Sequence, residues 1–114
     1  MAAPRVDHFR SQARIPLATE LSVSPLGATY DLPAKLVDLG LGGACFELAE
    51  PFEPGERLRL EFELPGLWDR LTLHGEVAWS RSVEGGRTRV GVRFTRPTGQ
   101  TLRLLAENLA ALQG

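Results

Sequence analysis

Between Arg57 and Leu64 charged and apolar residues alternate without a break: Arg57-Leu58-Arg59-Leu60-Glu61-Phe62-Glu63-Leu64. Side chains leave an extended backbone on opposite faces in turn, so this segment reads as a strand with one dry face and one wet face. A helix would scatter the same apolar residues around its circumference. A strand of this kind needs a second layer, or a sheet curled onto itself, to cover its dry face. The chain must therefore supply more strands.

It supplies five. Leu21 and Val23 alternate with Glu20, Ser22 and Ser24, and Ser24-Pro25-Leu26-Gly27 carries turn chemistry. Residues 28–39 read as a second strand, with an interruption expected near Pro33. Gly40-Leu41-Gly42-Gly43 is a tight turn, and Ala44 to Leu48 form a third strand with Ala44, Phe46 and Leu48 on one side. The alternating segment is the fourth and stops at Pro65-Gly66. A fifth, 71–80, sets Leu71, Leu73, Val77 and Trp79 on one face; after Glu84-Gly85-Gly86 a sixth, 87–95, sets Val90, Val92 and Phe94 opposite Arg89, Gly91 and Arg93. Six short strands at these intervals predict a mainly β fold, an antiparallel sandwich or a small barrel, and closure would remove exposed edges.

The two ends differ. Residues 1–14 show no apolar period and read as a flexible arm, leaving 15–114 as a single domain. At the other end residues 99–113 predict a helix, with Leu102, Leu105, Leu109 and Leu112 on one stripe and Thr98 or Thr101 as a cap. The stripe suits covering the sheet; pairing with a partner or a second copy of the chain stays open.

A chain of 114 residues is one modest domain, and 13 basic against 14 acidic residues leave a net charge of −1. That balance disfavours nucleic-acid binding, which asks for a strongly cationic surface. The charges are nonetheless segregated: residues 47–63 hold six glutamates and two arginines, while 81–103 hold six arginines and one glutamate. If the arm, with Arg5, Arg10 and Arg14, folds back near the sixth strand, a basic pocket results that the total hides. No apolar run is long enough for a membrane span, and MAAPRVDHFR has no secretory character, so a cytoplasmic domain is expected.

Enzyme templates fail in turn. No Walker loop or Gly-x-Ser-x-Gly elbow occurs, and the glycines at 40, 42 and 43 open a strand instead of a helix. One cysteine, Cys45, and two histidines, His8 and His74, cannot make a zinc finger. Cys45 within a strand is expected to be packed, and both histidines to be surface residues. The chain is not expected to be an enzyme, and no metal or cofactor is implied.

Two spots remain. Arg10-Ser11-Gln12-Ala13-Arg14 sets two arginines four apart where the arm meets the first strand, and Asp38-Leu39-Gly40-Leu41-Gly42-Gly43 sets a carboxylate at the mouth of a glycine-rich turn. Each alone is an ordinary solvated charge or a turn cap. In this order they resemble PilZ domains, whose pattern is an Arg-x-x-x-Arg arm followed by an Asp-x-Ser-x-x-Gly turn. The Pro54-Gly55 turn, Gly75-Glu76-Val77-Ala78-Trp79 and Gly91-Val92-Arg93-Phe94 extend the resemblance over nearly the whole chain.

The resemblance implies a six-stranded antiparallel barrel with a C-terminal helix, and a receptor for the bacterial messenger cyclic di-GMP that signals to a protein effector when its arm orders. Arg10, Arg14, Asp38, Gly40 and Gly43 would hold the ligand, with Arg5 and Arg93 as further candidates. The chemistry suits it. An arginine fork binds a phosphate or the O6 and N7 acceptors of guanine, a carboxylate accepts from the N1 and N2 donors, and glycines let main chain approach a flat base. One position departs from the family: its serine is Gly40 here. The alternative is therefore a degenerate PilZ domain that does not bind the nucleotide and works through protein contacts.

Overall fold

The computed structural model describes residues 15–62, 71–95 and 99–113. Six strands, β1 (Ile15–Pro25), β2 (Leu32–Leu39), β3 (Gly43–Leu48), β4 (Arg57–Phe62), β5 (Leu71–Val83) and β6 (Arg87–Phe94), precede one helix, α1 (Gly99–Gln113). Every strand pairing is antiparallel, and the order β1-β2-β3-β6-β5-β4 closes into a barrel. Of the two architectures left open by alternation alone, the closed one is found.

The alternation in Arg57–Phe62 does what its period demands: Leu58 and Leu60 are fully buried, while Arg57 and Arg59 turn outward. Val23, Leu36, Phe46, Leu48 and Val90 meet them in one core. Each such side chain contributes roughly 1.5–3 kcal/mol by leaving water, so the barrel interior carries the stability of the domain. Outside it, the Ser24 hydroxyl donates to Asp31, and Arg59 lies 3.6 Å from the same carboxylate, tying the β1–β2 connection to β4.

Several boundaries move. The second strand begins at Leu32, because residues 28–31 belong to the connection that starts with the Ala28 N–H donating to Pro25. Pro33 does not interrupt it: Pro33 pairs with Ser22, and pairing with β3 starts only at Lys35, so the missing N–H falls where no second neighbour asks for it. The fifth strand runs on to Val83 and the sixth stops at Phe94. Glu63 and Leu64 of the alternating segment lie outside the described residues.

One facing assignment is overturned. Simple alternation puts Trp79 inside with Leu71, Leu73 and Val77, yet Trp79 is 39% exposed. The ladder shows why: Val77 pairs with Val92 and Trp79 with Gly91, two steps on β5 against one on β6. Ala78 is the surplus residue of a β-bulge, and the bulge reverses the phase.

The helix spans the expected 99–113, with Leu102 and Leu104 half-buried and Arg103, Ala106, Glu107 and Ala110 exposed. The side chains of Leu105, Leu109 and Leu112, and the cap residue Thr98, lie outside the described set. Among the described residues no helix is long and apolar enough to cross a membrane.

Candidate ligand-binding site

Asp38 owes its position to a second bulge. Ala34 and Leu36 point inward, so unbroken alternation would carry the Asp38 carboxylate into the core. Leu36 pairs with Phe46 but Asp38 with Cys45, so Val37 is surplus on β2 just as Ala78 is on β5. The carboxylate is turned onto the outer wall, half-buried, with Oδ1 shielded from solvent.

The two bulges act on the same line of the barrel. Asp38 faces Cys45, Cys45 faces Gly91, and Gly91 faces Trp79, one residue from each of β2, β3, β6 and β5. Gly91 makes the line continuous. A Cβ there would sit 2.3 Å from Cε2 and Nε1 of Trp79, so the indole packs against bare backbone. Arg81 stacks over the other part of this arrangement, its guanidinium carbon 5.5 Å from the indole centroid. With strands about 4.8 Å apart, the backbones that carry Asp38 and Trp79 stand roughly 14 Å from one another across β3 and β6. Cys45, between them, is buried as expected for a packed thiol.

The glycine-rich turn closes this line at one end. The Gly40 N–H donates to the Gly43 carbonyl at 2.9 Å, and Gly42 accepts from Phe94 at 2.9 Å. Gly43 is glycine for a reason that alternation and spacing do not reveal: a Cβ would lie 2.2 Å from the Val92 carbonyl oxygen, so β3 and β6 could not approach. Arg93 faces Gly43 across the ladder; its side chain is 70% exposed, 3.9 Å from Glu76. Asp38, Gly40, Gly43 and Arg93 are thus brought to one corner of the outer wall. Arg5, Arg10 and Arg14 lie outside the described residues. The described chain begins beside that corner, since Ile15 pairs with Leu39 and Pro16 with Asp38.

Further along the same wall, Arg89 donates to Glu47 from Nε at 2.7 Å and from Nη2. These bonds and the carboxylate charge hold the Arg89 guanidinium protonated more firmly than usual, with smaller support from Cys45 and Asp38. Trp79 and Arg81 were not singled out by spacing, because the signal that would find them is a bulge, whereas alternation already places Arg89 on the outer face. A cavity of about 230 Å³ on β4 and β5, lined by Leu26, Arg57, Leu58, His74, Gly75 and Thr95, contains none of the sequence-predicted residues. It offers a single guanidinium and no carboxylate, and is not taken as the site.

The PilZ domain family matches residues 6–111. This chain is a PilZ domain. Solved structures agree on the fold. The inhibitor of motility MotI/DgrA of Bacillus subtilis superposes with a TM-score of 0.75 at 16% identity, covering 89% of this chain and 49% of that one. This PilZ domain therefore spans about half the length of MotI/DgrA. The PilZ domain of YcgR from Escherichia coli, solved with c-di-GMP, gives 0.69 at 23% identity and covers 88% of each chain. The PlzA protein of Borreliella burgdorferi, in complex with c-di-GMP, gives 0.58 at 17%, covering 92% of this chain and 44% of that one. No curated protein matches this PilZ domain in sequence.

Proposed function

We propose that this PilZ domain is a receptor for cyclic di-GMP, which it binds on the outer wall along Asp38, Cys45, Gly91 and Trp79, and that it acts on a protein effector without catalysis. One observation carries the reading: two bulges turn a carboxylate and an indole, both of which alternation would bury, onto the same line over a glycine. A guanine offers a match for each. Its N1 and N2 donors suit Asp38, and its flat face suits the indole, a stack worth about 1–3 kcal/mol per base.

The phosphates fall to the arginines. Arg14 precedes Ile15 in the chain, and Ile15 pairs with the residue after Asp38. Arg10 is four residues further out, and Arg93 and Arg5 are additional candidates. An arm that orders around the bound dinucleotide would present a new surface, which is the signal. The YcgR and PlzA structures with c-di-GMP support the ligand class.

Gly40 favours a second reading, a degenerate domain that keeps the barrel and works only through protein contacts. Calorimetric titration decides. The receptor reading expects micromolar affinity or better, with Arg14→Ala and Asp38→Ala each losing most of the signal. A flat titration at high protein concentration rejects it in favour of the second. Gly40 is not among the glycines with positive φ, so a serine fits its backbone. Gly40→Ser should restore a hydroxyl contact of roughly 1–3 kcal/mol, tightening binding about tenfold to a hundredfold.

A further inference from the structure

Beyond the Asp38 line, the next outward line of the same wall carries charge that a barrel does not need. Lys35 on β2 faces Glu47 on β3, Glu47 faces Arg89 on β6, and Arg89 faces Arg81 on β5. Arg87, two residues back on β6, also reaches Glu47: it donates to the carbonyl at 3.2 Å and its Nε lies 3.9 Å from the carboxylate. On β1, Glu20 faces Lys35 from the other side, so two carboxylates stand among four cations, an excess of two positive charges.

That excess has a cost. Like charges directly opposite on neighbouring strands destabilise a sheet, and Arg81 sits opposite Arg89. Lys35 and Arg81 are exposed and make no ion pair among the described residues. Glu47 answers Arg89 and Arg87, Glu20 stands opposite Lys35, and among the described residues no carboxylate answers Arg81. An outside anion would.

The form of that anion follows from the surroundings. The line crosses four strands, about 14 Å, the length of four or five extended residues. Glu20 flanks the line beyond Lys35, and Glu50, Glu53 and Glu84 follow β3 and β5 at one end of the barrel, so a long polyanion would run into acid. A short acidic stretch would not. The barrel is closed, so a partner cannot add as an extra strand and must be read by side chains. We propose that Lys35, Arg81, Arg87 and Arg89 are the docking surface for an acidic segment of a partner protein, with Glu47 holding the place of one partner carboxylate in the free domain. The surface stands whether or not cyclic di-GMP binds. It also adjoins that site, since Arg81 stacks on Trp79.

The test uses the full chain and a fluorescein-labelled hexaglutamate peptide capped at both ends, read by anisotropy at about 50 mM salt, where surface charges are weakly screened. Saturable binding is expected. Arg81→Glu/Arg87→Glu should weaken it by at least ~10-fold, and Glu47→Gln, which releases Arg89, should strengthen it by ~3-fold or more. The control Arg57→Glu/Arg103→Glu makes the same change in net charge on exposed residues elsewhere and should leave binding within ~3-fold. Thermal melts confirm that each variant is folded. The proposal is overturned if wild type fails to bind, if the control loses as much as the patch variant, or if Glu47→Gln changes nothing. A single-stranded oligonucleotide of equal charge that outcompetes the peptide also overturns it, in favour of nucleic acid.

Discussion

Gly43 and Gly91 lie on the neighbouring strands β3 and β6, and a methyl group on either meets something at once, but the two obstacles differ in kind. At Gly43 the obstacle is the Val92 carbonyl oxygen, fixed in the ladder that joins β3 to β6. At Gly91 it is the Trp79 indole, a half-exposed side chain that can swing away. Gly43→Ala should therefore destabilise the fold by about 1–3 kcal/mol, through strand separation. Gly91→Ala should cost no more than the Arg81–Trp79 stack, about 0.5–1 kcal/mol at an exposed site. Ligand affinity should fall further, by the ~1–3 kcal/mol of a lost base stack, because the indole no longer lies in line with Asp38. Urea midpoints measure the first effect and titration the second. Equal losses of stability in the two variants would refute the distinction.

At the level of strands, the bulges decide what can and cannot be read from alternation. Arg57–Glu61 was legible because every residue kept phase, and so were Val90, Val92 and Phe94. The Asp38 turn was legible as a motif, but the reason its carboxylate faces outward was not. Nothing in Leu36-Val37-Asp38 or Val77-Ala78-Trp79 announces a surplus residue, since a bulge is settled by the partner strand and not by local propensity. That is why Trp79 was assigned to the core. The role of Gly43 was hidden for a related reason: its obstacle sits on β6, some fifty residues away in the chain. A pair of deletions tests the phase argument. Removing Ala78 leaves Val77 on Val92 and Trp79 on Gly91 as consecutive pairs, so the indole stays outside and ligand binding should survive. Removing Ser80 lets β5 keep its register with β6 only by abolishing the bulge, which sends Trp79 inward to the place opposite Val90. That variant should lose binding and about 1–3 kcal/mol or more through overpacking. Retained binding after Ser80 deletion, or its loss after Ala78 deletion, would contradict the assignment.

On the scale of the whole molecule, a net charge of −1 conceals a wall with a local excess of cations and long acidic stretches elsewhere. Closure lets one barrel keep the two apart: no strand edge needs protecting, so outward positions are free to be polarised. Such an arrangement should attract a small anion without behaving as a nucleic-acid binder, and ionic strength separates the two behaviours. A ligand with two phosphates can release at most about two ions' worth of screening, a log–log slope near −1.4 if single-strand behaviour applies. Raising salt from about 50 to 200 mM should then weaken cyclic di-GMP binding by roughly sevenfold at most. A protein neutralising six to ten phosphates of a duplex would lose about a thousandfold or more over the same range. Titrations at four salt concentrations measure the slope. A slope steeper than about −3 would mean that more phosphates are engaged than one cyclic dinucleotide carries, and the bound species would have to be a larger polyanion.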